Sequence, residues 1–351
     1  MSFGVGVVGL GMIAEFHGAA VSAMTGAHIA GCCSLRAEAA ADFAARYGGK
    51  AFRDLDAMLA DPSIHILAIC TPSGAHLEPA LAAFAAGKHV ICEKPLETTT
   101  SRIDRMTAAA EAAGVMLAGI FPRRFNPATK LLRDAARAGR FGRIASADAY
   151  VKWWRPQAYY DSADWRGTWA LDGGGALMNQ SIHTIDLLLY VMGDVRHVRA
   201  KTRLIAHERI EVEDVATAML EFESGAIGVI QGSTAAWSKG GHPAEVQIVG
   251  ETGSVFLADD RFRCWEFAEE TASDDDVRKH YGVEAERAGA GAADPKAIDF
   301  TWHQRNYEDA IGALNEGRAP MIDGREARRA VALIEAIYAS ARDGGEKTEV
   351  G

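Results

Sequence analysis

Lys94 follows directly on an apolar run, His89-Val90-Ile91-Cys92, within the segment Glu93-Lys94-Pro95. Ligands of open α/β sheets bind beyond the carboxyl ends of the strands, where a lysine ammonium can donate to a reacting oxygen or help relay its proton. Pro95 keeps Lys94 out of the helical region and gives it an extended setting. An ordinary solvated lysine at a strand end has the same spacing. Asn179, His183 and Asp186 are spaced i, i+4, i+7, which on an α-helix puts all three on one face. An imidazole, with an ordinary pKa near ~6.5, suits removal of a hydroxyl proton as hydride leaves the carbon. Asn179 can orient a substrate hydroxyl or the imidazole but cannot stabilise an imidazolium as a carboxylate would. Asp186 either takes part of that role or is a structural acceptor.

Gly9-Leu10-Gly11-Met12-Ile13-Ala14 sits after the first apolar run and opens the first helical pattern, the required setting of a G-x-G-x-x-A dinucleotide fingerprint. Gly9 permits the tight turn, Gly11 lets a pyrophosphate approach the backbone, and Ala14 allows close helix–strand packing. The N–H groups of Met12 and Ile13 then face the phosphates at a helix N-terminus. A glycine turn without a nucleotide is the alternative. About 20 residues further on, where an acid would hold the ribose hydroxyls, stand Ser34 and then Arg36. A hydroxyl accepts a 2′-phosphate without repulsion and a guanidinium pairs with it, so the cofactor reads as NAD or NADP, with a lean to NADP. Arg36 is equally an ordinary solvated helix residue.

Residues 152–169 concentrate four tryptophans and two tyrosines with Arg155, Asp164 and Arg166. Such a set suits the apolar faces and polar edges of sugar rings, with Trp154 and Arg166 as candidate substrate contacts, or else a packed domain interface. His17, His76 and His303 read as structural or cofactor-adjacent, and no His, Cys or carboxylate group has metal-ligand spacing.

The elements that must position these residues fall into two textures. Up to Phe121, strand-like runs at 4–8, 28–33, 64–70, 89–92 and 115–118 alternate with helical stretches at 13–24, 35–47, 75–86 and 102–113. That alternation predicts a doubly wound parallel sheet, the fold class being α/β. Beyond it come a helix at 127–138, an alternating strand at 144–153 and one long helix at 175–192. Strand-like runs follow at 198–205, 215–222, 226–232, 244–249 and 254–257, joined by short turns, which predicts a second, α+β domain with a mostly antiparallel open sheet. Residues 269–297 read as a loop or excursion, and helices close the chain near 302–315 and 325–342. The domains are therefore read as 1–121, dinucleotide-binding, and 122–351, substrate-binding and oligomerising, the last helix at about 324–342 being able to pack back on the first.

Length and charge narrow the functions. A chain of 351 residues, 48% hydrophobic, supports about two domains with cores of their own. A net charge of −10 argues against general affinity for nucleic acid or an anionic membrane. The five cysteines are odd in number and mostly in apolar runs, which predicts free buried thiols in a reducing compartment. No apolar run reaches ~18 residues and no charged leader precedes the first strand, so a soluble cytoplasmic protein is expected.

Taken in order, Gly9-x-Gly11-x-x-Ala14, Thr71-Pro72 with His76, and Glu93-Lys94-Pro95 resemble the Gfo/Idh/MocA family. Further matches are Arg124-Phe125-Asn126-Pro127, Trp165-Arg166-Gly167-Thr168-Trp169, Gly173-Gly174-Gly175 leading to His183 and Asp186, and Pro320 to Gly324 with Ala327. The resemblance covers nearly the whole chain. It implies an NAD(P)-dependent oxidoreductase acting on CH–OH groups of sugars, inositols or their derivatives, with a Rossmann domain and an open sheet that mediates a homodimer or homotetramer. It adds Thr71, Pro72, His76, Glu93 and Lys94 to the cofactor-binding candidates and Arg124 to the substrate contacts. The family's usual active-site set is the Lys of Glu-Lys-Pro, an Asp, and a His four residues after it. Lys94 and His183 match, but Asn179 stands at the Asp position. The expected reaction is hydride exchange between a substrate carbinol carbon and the nicotinamide, with His183 exchanging the hydroxyl proton and Lys94 acting at the same oxygen. A cofactor-retaining glycosidase-like or aldose–aldose reaction, and a non-catalytic NAD(P)-binding regulator, are the alternatives.

Overall fold

The computed structural model describes residues 2–283 and 300–351. These residues fall into two compact units, one within Met1–Pro122, Ala170–Gly173 and Asp299–Arg328, the other within Arg123–Trp169, Gly174–Ile298 and Arg329–Gly351.

In the first unit the strands are β1 (Phe3–Val8), β2 (Ala27–Cys33), β3 (Lys50–Ala51), β4 (Ile66–Ile69), β5 (His89–Cys92) and β6 (Leu117–Gly119). They form one parallel sheet in the order β3-β2-β1-β4-β5-β6. Near-continuous apolar runs such as Ile66–Ile69 are buried along their whole length, as strands covered on both faces must be. Helices α1 (Met12–Ala23), α2 (Ala37–Tyr47), α3 (Leu55–Leu59), α4 (Leu77–Ala85) and α5 (Thr100–Ala113) connect them. The edge strand β3 and helix α3 escaped the sequence reading, because two exposed residues and a five-residue helix carry no periodicity. Helix α5 is bounded by chemistry: Thr99 accepts from the Arg102 N–H at its start, and Gly114 takes a left-handed conformation at its end. The strand order reverses at β1 and β4, so the crevice beyond their carboxyl ends is the switch point where such sheets take ligands.

The second unit holds α6 (Pro127–Arg137), β7 (Ile144–Lys152), α7 (Gln157–Tyr160), α8 (Ile182–Met192), β8 (Val195–Arg203), β9 (Val215–Phe222), β10 (Ile227–Ser233), β11 (Glu245–Gly250), β12 (Gly253–Ala258), β13 (Arg261–Phe267), α9 (Asp274–Tyr281) and β14 (Thr348–Glu349). Its eight strands run β13-β12-β11-β7-β10-β9-β8-β14, antiparallel except for β7 with β10. Strand β9 buries every second residue, the pattern of a sheet covered on one face only. Asn126 caps α6 by accepting from the Ala128 N–H, with Pro127 at the first helical position.

Three expectations need correction. The stretch expected to be an excursion contains α9, whose three leading aspartates and trailing Arg278, Lys279 and His280 complement a helix dipole; the rest of that expectation, 284–297, lies outside the described residues. Strands β13 and β14 were also not expected. The single helix expected over 175–192 is a π-turn, Ala176–Ser181, running into α8. The last two helices are α10 (Thr301–Glu316) and α11 (Gly324–Arg342), ahead of β14. Tyr307, Ala310 and Ile311 of α10 share a core with Ala14 and Val21 of α1. Cys32, Cys33, Cys70 and Cys92 are buried free thiols and Cys264 is half-buried. Among the described residues no helix is long and apolar enough to cross a membrane.

Candidate active site

The chain leaves β1 through Gly9 at φ +85°, where an added Cβ would lie 2.6 Å from the Thr71 nitrogen and 2.7 Å from Cys70 carbonyl atoms. Both the dihedral and the close approach to the end of β4 demand glycine. At Gly11, by contrast, a Cβ would meet nothing within 4 Å. The backbone there borders open space at the start of α1, whose N-terminus carries no side-chain cap. Uncapped N–H groups at Met12 and Ile13, a positive helix end and an unobstructed approach are what a pyrophosphate needs, so these residues fit a dinucleotide. Met12 is exposed and Ile13 half-buried. Beyond β2, the Arg36 N–H donates to Ser34 Oγ at 3.3 Å, and the Arg36 side chain is exposed with no ion pair among the described residues. It lines a groove with Leu10, Glu15, Glu38, Ala39, Asp42 and Arg46. Arg46 is committed to Glu15 through two bonds of 2.5 and 2.7 Å, so Arg36 is the uncommitted guanidinium of the groove.

Lys94 is half-buried just past β5, and its peptide bond to Pro95 is cis. Its N–H donates to Glu93 Oε2 at 3.0 Å. The other carboxylate oxygen faces His17 Nε2 at 3.0 Å and His303 Nε2 at 3.5 Å, while His17 Nδ1 lies 2.7 Å from the Tyr307 hydroxyl. Burial pushes the Glu93 carboxyl up, but the hydrogen bonds and charges of His17 and His303 outweigh it and hold it well below the usual range. Burial holds His17 below its ordinary value, against the pull of Glu93. The arrangement that satisfies each donor is an ionised Glu93 accepting from His17 Nε2–H, with His17 Nδ1 accepting from Tyr307.

Two cofactor candidates, Glu93 and His76, are buried and engaged within the first unit. Glu93 is 5% exposed with both oxygens engaged, so it supports Lys94 from beneath rather than touching a ligand. His76 is 1% exposed; Nε2 lies 2.9 Å from the Thr71 carbonyl and Nδ1 3.0 Å from that of Pro95. It ties the loop after β4 to the loop after β5. Thr71 itself is half-buried with its hydroxyl donated to the Ala75 carbonyl, and Pro72 is half-buried beside it.

In the second unit, Glu213 accepts from the backbone N–H groups of Gly175 at 3.0 Å and Leu177 at 2.9 Å and from the Tyr338 hydroxyl at 3.0 Å. This carboxyl sits under the start of the π-turn and is fully enclosed, and burial raises its pKa to about 7 against those hydrogen bonds. Asn179 lies in the π-turn and His183 on α8, both half-exposed. Asp186 is buried and holds Arg124 through bonds of 2.8 and 2.6 Å. Arg124 also stacks on Tyr190, its guanidinium carbon 4.6 Å from the ring centre. Asp186 is thereby the structural acceptor of the two alternatives. Arg124, expected among the substrate contacts, is 2% exposed and paired with Asp186. The π-turn changes the face that Asn179 takes relative to the straight-helix expectation, whereas His183 and Asp186 both lie on α8.

Gln180 was missed. Its Nε2 donates to Asn179 Oδ1 at 2.8 Å and to the Tyr159 hydroxyl at 2.9 Å, and its Oε1 accepts from Arg155 at 2.8 Å. An amide residue directly beside Asn179 was the available signal. Arg166 donates to Tyr159 at 2.6 Å, and Trp154, half-buried, lies against the His207 ring at 5.7 Å. Trp153 and Tyr160 of the same aromatic stretch are buried in the core of this unit.

A parallel sheet of order 3-2-1-4-5-6, a glycine turn at its switch point and an uncapped helix start define a dinucleotide-binding Rossmann fold. Residues 3–121 match the oxidoreductase family with an NAD-binding Rossmann fold, and residues 129–256 match the GFO/IDH/MocA C-terminal domain. The chain belongs to the Gfo/Idh/MocA family. It is 30% identical over 262 residues to the myo-inositol 2-dehydrogenase of Thermotoga maritima, covering 72% of this chain and 74% of that protein. It is 29% identical over 283 residues to the levoglucosan dehydrogenase of Pseudarthrobacter phenanthrenivorans, 72% of each. The WlbA dehydrogenase of Bordetella pertussis, solved with NADH and UDP-GlcNAcA, superposes with a TM-score of 0.89 at 35% identity, over 100% of this chain and 98% of that one.

Proposed function

We propose that this oxidoreductase exchanges hydride between a nicotinamide cofactor and a carbinol carbon of a sugar, sugar derivative or inositol. The observation that carries the reading is Lys94, presented at the carboxyl end of β5 in the same sheet as the Gly9–Gly11 turn and fastened there by a buried carboxylate. The relatives named as inositol and levoglucosan dehydrogenases support a CH–OH substrate. When bound, the oxidised nicotinamide supplies the hydride acceptor. His183 takes the hydroxyl proton as the C–H bond is lost and C=O forms, and the Lys94 ammonium polarises a substrate oxygen. Asn179, its Oδ1 occupied by Gln180, acts through its amide donors to orient the substrate. Gly9, Gly11, Met12 and Ile13 hold the pyrophosphate, with Thr71 and Pro72 at the adjoining strand end; Trp154 and Arg166 contribute to the sugar site.

Ser34 and the uncommitted Arg36 favour a 2′-phosphate, against Glu38 and Asp42 of the same groove, and we retain the lean to NADP. Exposed Met219 and Ile227 on the open face of the second sheet support a homodimer or homotetramer, which sedimentation measures. Cytoplasmic residence follows from the free-thiol reading. The decisive experiment is a panel of sugars, inositols and aldehydes followed by the absorbance of reduced nicotinamide. Turnover of a polyol or sugar supports the dehydrogenase. Asn179 in place of a carboxylate favours one second reading, an NAD(P)-binding regulator, and tight NADH binding without any turnover in the panel selects it.

A further inference from the structure

We propose that the substrate carries an anionic group, a carboxylate or a phosphate, held by Arg166 on the Asn179–Gln180 side of the second unit, with the buried Arg155 behind it. This rests on the sugar-oxidoreductase reading and narrows its substrate class. Arg166 stacks over Tyr159 at 4.3 Å and Trp165 at 4.6 Å, and the Arg155 guanidinium lies 5.7 Å from the same Tyr159 ring. Two cations thus share one aromatic ring. They feel each other: burial first, and the neighbouring charge of Arg166 with it, hold Arg155 below its ordinary value.

Arg124 and Arg140 of this unit carry carboxylates, Asp186 and Asp274, whereas Arg133 rests on the Tyr190 ring without an ion pair among the described residues. Arg166 forms no ion pair among the described residues, and its Nε is buried without a hydrogen-bond partner. Of the acids near it in sequence, Asp161 is held by Arg209 and Gln157, and Asp164 forms no ion pair with Arg166 among the described residues; of those the fold brings to this segment, Glu211 accepts from the Trp169 N–H and Asp214 is paired with His207. A neutral hydroxyl would leave the positive charge uncompensated, whereas a carboxylate or phosphate matches the planar guanidinium fork. Gln180 connects the pair to the reaction, accepting from Arg155 and donating to Asn179.

The test compares kcat/KM for glucose, glucuronate, glucose 6-phosphate, UDP-glucose and UDP-glucuronate with NAD and NADP. Preference for anionic members over glucose by tenfold or more is expected. Glucuronate above glucose identifies a carboxylate as the anion, and UDP-glucose or glucose 6-phosphate above glucose identifies a phosphate. Arg166→Gln is expected to raise the KM for the preferred substrate about ten- to a hundredfold with a smaller change in kcat, Arg166→Lys keeping part of the affinity. A thermal melt confirms that each variant is folded. Equal or better turnover of glucose overturns the anionic assignment while leaving the dehydrogenase reading intact. If no sugar turns over, that reading fails, and calorimetric titration of glucuronate and of UDP into the NADH-loaded protein judges the site: binding weakened by Arg166→Gln sustains it, and no binding of either overturns it.

Discussion

Asp186 and Arg124 form a bidentate ion pair, Nε to Oδ2 at 2.8 Å and Nη2 to Oδ1 at 2.6 Å, with side chains only 2% and 1% exposed. The pair joins the segment before α6 to the middle of α8, one turn past His183. Removing one partner leaves a buried charge uncompensated, so Asp186→Asn is expected to cost about 3–5 kcal/mol of stability in urea unfolding. Replacing both residues by apolar ones of similar volume should cost less. A loss of activity in Asp186→Asn without loss of stability would contradict a supporting role.

His183→Ala is expected to lower turnover by about two orders of magnitude or more, the usual worth of a general acid–base group, with NAD(P)H affinity nearly unchanged. Steady-state rates and fluorescence titration of reduced cofactor measure the two separately. Cofactor binding lost in proportion would show that the substitution disturbs the fold.

Ser34→Asp is expected to move cofactor preference toward NAD, since a carboxylate beside the ribose repels a 2′-phosphate. The measurement is the ratio of kcat/KM for NAD and NADP. An unchanged ratio removes Ser34 from cofactor choice.

Glu213 gives a signed pH dependence. Its folded pKa of about 7 lies above the ~4.3 of an unfolded glutamate, so the folded state holds the extra proton between the two values. Stability from this group is full below ~4.3 and declines as pH rises towards 7. The melting temperature of Glu213→Gln relative to the natural protein should therefore improve between pH 5 and pH 8. A flat difference would mean the carboxyl titrates normally.

Glu93 has the opposite sign. Its carboxyl is held low, so its contribution is present above ~4.3 and disappears as pH falls through the lower folded value. Glu93→Gln presents an amide N–H to His17 or to the Lys94 N–H, and about 1–3 kcal/mol of stability should be lost near neutrality. The deficit, read by urea unfolding at stepped pH, should shrink in acid.

The amino-acid order by itself determined the local chemistry and much of the frame. Gly9, Gly11 and the apolar runs around them specify a turn, a helix start and buried parallel strands, because each depends on neighbours within about twenty residues. Lys94 and His183 were legible for the same reason, as residue types at element ends and on a helix face. Contacts across long separations were decided only by the tertiary structure. His17, Glu93 and the helical pair His303 and Tyr307 come together from three distant places, and no spacing announces that they do. The same holds for Arg124, buried against Asp186, and for Glu213 beneath the π-turn. Periodicity reports which way a side chain leaves its own element; which charge it meets there depends on how elements far apart in the chain pack.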